Sequence, residues 1–308
     1  KLIPYSFVEN YKDNEKKILK LNWPYKPNVI FTSSRFFGDE VFKIWLANMV
    51  ENKVKYFVGQ HGNNYGTHFY FGNKDSVERR TSDYFISWGW KEKNTNVIPG
   101  FYFKKALKKN ANYKQSGLLI INPAIEHRFV PWDVVDNYLK RLNYLQLFLS
   151  NININIYNNT ILRFPGHKNN FTDTQLSKLN KIFKKVKKDY YKTKLQNLIK
   201  KSKLTVFSYD STGILDYLNA DIPFIGFWPG SNEYLIKEKQ PVYNLLYKNN
   251  ILFKDPITAS NFVSENWNNL DEWWESKNVK HAKLEFVKNF CKYEKNISKS
   301  LAEILKSH

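Results

Sequence analysis

One cysteine, Cys291, and one methionine, Met49, occur in the whole chain. A lone cysteine excludes an internal disulfide, and with six scattered histidines it leaves no spacing for a structural zinc site. No apolar run approaches the roughly 20 residues that span a bilayer. The opening KLIPYSFVEN lacks the apolar core of a secretory signal. GxxxxGK[ST], GxGxxG and GxSxG are all missing, which argues against phosphate-loop ATPases, simple dinucleotide enzymes and α/β-hydrolases. Acidic residues are scarce as well: 28 Asp and Glu face 48 Lys and Arg, for a net charge of +20. Together these absences point to a reducing, cytoplasmic setting, with no metal and no cofactor expected.

Aromatic residues make up 17% and hydrophobic residues 42% of the 308, enough for the well-buried cores of two domains. The charge predicts an anionic partner: nucleic acid, a phosphorylated substrate or an acidic membrane surface. Most of it is lysine in an Asn-, Ile- and Tyr-rich chain, a bias that AT-rich genomes also produce, and no nucleic-acid module is recognisable. Nucleic acid is therefore not the expected partner. The segment 178–203 carries eleven lysines and reads as a solvated basic face. A nucleic-acid-binding protein that uses that segment is the alternative it keeps open.

Strand patterns alternate with helical ones. NVIFTSS (28–34), KYFVGQ (55–60), DYFISWGW (83–90) and VIPGFYF (97–103) read as strands around a helix at 38–53. After the basic stretch 104–117, strands are expected at 118–124, 160–166, 203–209 and 222–228, and a short one at 251–253. Helices are expected at 132–150, 174–201 and 211–220, with a largely helical end. The pattern predicts an α/β protein with mostly parallel sheets. The polar stretch marks a border between two domains, 1–113 and 114–308.

Three stretches carry candidate chemistry. In KLTVFSYDSTGILDYLNA a strand ends at Tyr209 and Asp210, and Ser211 and Thr212 open a helix. The free N–H groups and positive dipole of such a helix start suit an anion, although an N-cap alone would also explain Ser211 or Asp210. Asp216, further along the helix, is placed to reach a ribose hydroxyl. In RFPGHKNN, Arg163, His167 and Lys168 follow a strand at the carboxyl edge, where open α/β sheets bind ligands. Arginine there offers a fork to phosphate or carboxylate. In the first half, YFVGQHGNNYG runs from a strand into Gln60, His61, Gly62, Asn63 and Tyr65, and Asp39 and Glu40 begin a neighbouring helix. First-turn acids complement the helix dipole, but a histidine beside a carboxylate is also raw material for acid–base or nucleophilic chemistry. Trp88 and Trp90 end another strand, and paired indoles suit a sugar ring as well as a core.

The ordered set GQHGNNYG, DYFISWGW, RFPGHK, YDSTGILDYLNADIPFIGFW and LDEWW resembles a family of bacterial surface-carbohydrate transferases of lipopolysaccharide and capsule (O-antigen) synthesis. That family shows GQHGG-x-YG and WGW motifs. Asn63 stands where its second glycine is usual, and Asp216 replaces a glutamate. The resemblance implies a GT-B-like glycosyltransferase, two Rossmann-like domains facing a central cleft, with the donor on the C-terminal one. It is similar to enzymes that use CMP-activated ulosonic acids such as Kdo. On this reading Ser211 and Thr212 hold the donor phosphate beside Tyr209 and Asp210, and Asp216 touches the ribose. Arg163, His167 and Lys168 neutralise phosphate or carboxylate. Asp39, with Glu40 and His61, serves the anomeric centre, in an inverting or a retaining reaction. Gln60, Gly62, Asn63, Tyr65, Trp88 and Trp90 face sugar or acceptor. The partners implied are a nucleotide sugar as substrate and a glycan or glycolipid acceptor, with peripheral contact at an anionic inner membrane. A nucleotide-sugar epimerase of the same architecture is the competing enzyme.

Overall fold

The computed structural model describes residues 3–105, 107, 117–123, 138–164, 173–230 and 232–308. Contacts divide the chain into two compact units: Lys1–Gly66, Phe71–Phe103 and Lys292–His308 form one, and Thr67–Tyr70 with Lys104–Cys291 the other. The division departs from the expected border at 113/114. The stretch from Lys104 onward goes with the second unit, the C-terminal tail returns to the first, and four residues of the early loop belong to the second.

In the first unit α1 (Tyr11–Leu19) precedes β1 (Val29–Thr32), α2 (Glu40–Glu51), β2 (Lys55–Gly59), the short α3 (Val77–Arg80), β3 (Tyr84–Ser87) and β4 (Val97–Pro99). The four strands are parallel and lie in chain order, β1-β2-β3-β4. Tyr56, Phe57, Val58, Phe85 and Ile86 are fully buried, the mark of parallel strands covered on both faces. Asp83 fixes the entry to β3: its carboxylate accepts from Tyr56 N at 2.8 Å while its own N–H donates to Tyr56 O at 2.9 Å.

The second unit contains β5 (Gly117–Ile121), α4 (Tyr138–Asn151), α5 (Ile154–Asn158), β6 (Thr160–Phe164), α6 (Asp173–Ile182), β7 (Lys187–Tyr190), α7 (Leu195–Ile199), β8 (Ser202–Phe207), α8 (Thr212–Ala220) and β9 (Phe224–Phe227). It continues through α9 (Gln240–Lys248), β10 (Leu252–Phe253), α10 (Pro256–Asn266), α11 (Leu270–Glu275) and α12 (Lys277–Phe290), and α13 (Ile297–Ser307) ends the chain in the first unit. All six strands are parallel, in the order β10-β9-β8-β5-β6-β7. The chain winds outward from β5 to β7, then returns to the centre and winds the other way from β8. The reversal leaves a topological switch point between the carboxyl ends of β5 and β8, where open sheets of this kind bind ligands.

One expected element is corrected. The helix anticipated over 174–201 is α6, the strand β7 and the short α7. β7 pairs with β6, Arg163 opposite Asp189, and is the edge of the sheet. Lysines on an edge strand discourage further pairing, so the charge that resembles a solvated helix protects an edge.

Candidate functional site

Each unit presents a polar cluster where its strands end. In the first, Gln60 leaves β2 fully engaged. Its Oε1 accepts from Trp88 N at 2.9 Å and from Trp90 Nε1 at 2.8 Å, and its Nε2 donates to Gly62 O at 2.9 Å. Trp88 and Trp90 are buried, Trp88 packing edge-on against Tyr102 at 4.6 Å. Gln60, Trp88 and Trp90 thus lock the ends of β2 and β3 together, and the expectation that they face a sugar is corrected: each is committed to the interior. Asn63 is buried too. Gly66, at φ +69°, holds a left-handed turn against the Trp90 ring, so its missing side chain admits an indole rather than a ligand.

His61 is half-buried, with the edge of Phe37 5.3 Å away. The Tyr65 hydroxyl lies 3.0 Å from its Nδ1 and 3.4 Å from its Nε2 and donates to Glu78 Oε1 at 2.8 Å. Tyr65 and Glu78 are both buried. Burial depresses the His61 pKa against the upward pull of Glu78, and burial with the Glu78 charge holds the Tyr65 phenol protonated. The carboxylate linked to His61, by way of the Tyr65 hydroxyl, is Glu78 on α3, a residue outside the expected set. Asp39 and Glu40, expected there, have other work. Asp39 caps α2 by accepting from Phe42 N at 2.9 Å and pairs with Arg35 at 2.6 Å; Glu40 pairs with Lys43 at 2.8 Å. Among the described residues neither bonds to His61. Ser76, at the start of α3, is the one local sign that a helix begins there with Glu78 in its first turn.

In the second unit, Ser208 leaves β8 at the switch point. Its hydroxyl donates to Asn122 Oδ1 at 3.0 Å, and its N–H donates to Ile121 O at 3.1 Å, so the ends of β5 and β8 are cross-linked. Tyr209, Asp210 and Ser211 then lead into α8. Ser211 is the N-cap: its Oγ accepts from Gly213 N at 3.0 Å and donates to the Tyr209 hydroxyl at 3.1 Å. Burial raises the Tyr209 pKa, with Ser211 and then Arg141 pulling it down. The Ser211 hydroxyl is thus engaged in the cap, whereas Thr212, at the first helical position, is half-exposed.

Arg163 is not the free fork the sequence suggests. It is buried, and its Nη1 donates to Asp189 Oδ2 at 2.6 Å and to Thr193 O at 2.7 Å, with the Tyr191 ring 4.6 Å away. Arg141 on α4, absent from the expected set, is the cation whose charge reaches Tyr209. Asp216 lies 3.5 Å from Lys104. His167 and Lys168 fall outside the described residues.

Thr67–Tyr70 supplies an unforeseen part. Thr67 O accepts from Ile236 N at 2.8 Å, Phe69 N donates to Tyr234 O at 3.1 Å, and His68 bridges Leu235 in antiparallel fashion. This pairing sets His68 Nε2 3.5 Å from Asp210 Oδ2 and His68 Nδ1 2.9 Å from Thr67 Oγ1, with both ionisable side chains largely buried. Burial pushes the His68 pKa down to about 4. Nothing in YGTHFYF marks this role, because the partner strand is about 170 residues away in sequence. Among the described residues no three His, Cys, Asp or Glu side chains converge as metal ligands, and no helix is long and apolar enough to cross a membrane.

A family model described as LIC12162 family transferase matches residues 1–305. The chain belongs to the LIC12162 transferase family. No protein of curated function matches the sequence. Among solved structures, this family member is similar to Anabaena Alr3699/HepE in complex with UDP-glucose, at 11% identity over 99% of this chain and 84% of that one, with a TM-score of 0.53. It is similar also to the Staphylococcus aureus MnaA–UDP co-structure (12% identity, 99% and 82% covered, TM-score 0.56). A third is a glycosyltransferase from Rickettsia africae (12%, 99% and 81%, TM-score 0.51). At such identities the likeness is one of fold, and the fold of this transferase is of GT-B type, α/β with two parallel sheets.

Proposed function

We propose that this family member is a glycosyltransferase of bacterial surface-polysaccharide synthesis. It would take a sugar from a nucleotide-activated donor and pass it to a glycan or glycolipid acceptor. The observation that carries the reading is the path of Ser208–Thr212: it leaves the switch point between β5 and β8 and delivers its polar residues to the start of α8. A helix dipole and first-turn N–H groups there suit a phosphate that becomes the leaving group. Arg141 adds positive charge, and Asp216 remains the candidate for a ribose hydroxyl. His61, backed by Tyr65 and Glu78, is the candidate to receive the acceptor's proton. The motif resemblance favours CMP-activated Kdo or a related ulosonic acid. The UDP and UDP-glucose held by proteins of the same fold support a uridine donor, which we rank first.

Nucleotide binding tests this reading. UDP or CMP at about a hundred times its dissociation constant stabilises a binding protein by about 2.7 kcal/mol, a readable rise in Tm. Thr212→Trp, which crowds the start of α8, should abolish that rise. No rise with either nucleotide, or an equal rise in both proteins, refutes the donor site. Donor incubated without acceptor should stay intact; an isomerised nucleotide sugar would make the protein an epimerase instead.

A glycolipid acceptor would place the enzyme at the cytoplasmic face of the inner membrane. The +20 charge and the exposed Tyr5, Leu19 and Tyr25 around the lysines of α1 support peripheral contact there. Co-sedimentation with anionic vesicles that salt does not weaken, or none at all, counts against it.

A further inference from the structure

The donor reading leaves an electrostatic problem at its centre. Asp210 stands immediately before the N-cap of α8, in sequence next to the positive helix start that is to receive the phosphate. Two anions at one helix start repel each other. A residue placed to relieve that conflict is His68, whose Nε2 is 3.5 Å from Asp210 Oδ2. Its placement is built: Thr67 and Phe69 pair with Ile236 and Tyr234 on either side of it, and its Nδ1 lies against the Thr67 hydroxyl at 2.9 Å. Among the described residues, the groups facing the ring include the Asp210 carboxylate, the Tyr243 ring from α9 at 6.2 Å and Tyr70 from its own segment at 5.7 Å. Asp210 is thus the one charged group among these neighbours.

Resting on the donor reading, we infer that His68 is a positioning residue of that site: it holds the Asp210 carboxylate at the start of α8 and neutralises it by taking one proton from solvent when a nucleotide phosphate arrives. The one bond formed is an imidazole N–H, its proton supplied by solvent or buffer, and no bond of the nucleotide changes. In the free protein burial keeps the imidazole neutral, with a pKa near 4. An added phosphate within a few ångströms raises such a value by about one to three units, so for a rise of about two units binding and protonation are linked between about pH 4 and pH 6. The segment 67–70, contributed by an early loop of the chain, would thereby complete the donor site of the second unit.

Titration calorimetry tests this with UDP and, separately, CMP. Measurements at pH 5.5 in two buffers of different ionisation enthalpy report the protons taken up, and comparison with His68→Gln removes the nucleotide's own ionisation. For a rise of about two units the wild type should take up roughly 0.7 proton more than His68→Gln. The ratio of wild-type to variant affinity should improve about fourfold from pH 7.5 to pH 5.5. Asp210→Asn, which removes the carboxylate, should bind nucleotide without that uptake, and it serves if His68→Gln fails to fold. Equal proton uptake in wild type and variants, with binding intact, overturns the inference and leaves the donor site standing. If neither nucleotide binds the wild type, the donor site falls and takes the inference with it.

Discussion

His68 also makes a prediction that needs no ligand. In the unfolded chain its imidazole titrates near 6.5; in the folded protein burial lowers this to about 4. The unfolded state therefore binds a proton that the folded state refuses. Stability contributed by the neutral form is complete above pH 6.5 and is lost as pH falls toward 4. Each pK unit is worth 1.36 kcal/mol, so the loss reaches about 2 kcal/mol at pH 5 and about 3 kcal/mol at pH 4. The Asp210 carboxylate, 3.5 Å away, pulls in the opposite direction. Burial prevails because the ring is only 5% exposed and 3.5 Å is long for a charge-assisted hydrogen bond. The assay is urea unfolding of wild type and His68→Gln at pH 7 and pH 5. Gln stays neutral and polar beside Asp210, while distant carboxylates contribute equally to both proteins and cancel. The drop from pH 7 to pH 5 should be about 2 kcal/mol larger in the wild type. Equal drops, or a wild type that gains stability in acid relative to the variant, would show that Asp210 keeps the imidazole charged, and the reasoning fails.

Other substitutions probe the remaining commitments. Asp189→Ala strands the buried Arg163 guanidinium and should cost about 3 to 5 kcal/mol by denaturant unfolding, most of which Arg163→Met with Asp189→Leu should restore. Gln60→Ala leaves the N–H of Trp88 and the indole N–H of Trp90 without their acceptor; at 1 to 3 kcal/mol for each buried donor, a loss of about 3 kcal/mol with altered tryptophan fluorescence is expected. Gly66→Ala drives a methyl into the Trp90 ring from a left-handed backbone and should destabilise by about 2 kcal/mol in the same assay. Ser211→Ala loses an N-cap and should cost about 1 kcal/mol.

The parallel strands were legible because residues such as Tyr56–Phe57–Val58 and Leu118–Leu119–Ile120 are apolar without alternation, as strands buried on both faces must be. Both helix starts singled out are there: Asp39, read as a first-turn acid, is the N-cap of α2, and Ser211 is the N-cap of α8. β7 was illegible because KKDY lacks a strand's composition: it is defined by pairing with β6 and by the Asp189 contact to Arg163, neither of which is local. Its six-residue neighbourhood reads as charge. Sequence periodicity reports what a segment buries, and an edge strand buries little.

The site residues divide along the same line. A residue type names the chemistry a side chain can perform, whereas its availability depends on partners that sequence spacing does not reveal. Gln60, Trp88, Trp90 and Arg163 all carry the right groups for sugar or phosphate, yet all four are buried, and Gln60, Trp90 and Arg163 spend their polar groups on interior partners. His61 and Asp210 stand out in the sequence, yet the polar groups beside them, Glu78 by way of Tyr65 and His68 at 3.5 Å, come from stretches with no pattern. Glu78 is 17 residues beyond His61, and His68 reaches Asp210 across about 140 residues by way of a backbone pairing with 234–236. Both are buried polar groups, which are costly unless satisfied. A buried histidine, tyrosine or carboxylate that is held by one well-defined partner beside a strand's carboxyl end is therefore the stronger pointer to chemistry here. By that criterion Glu78, buried and bonded to Tyr65, replaces Asp39, a helix cap, as the carboxylate we propose to act with His61.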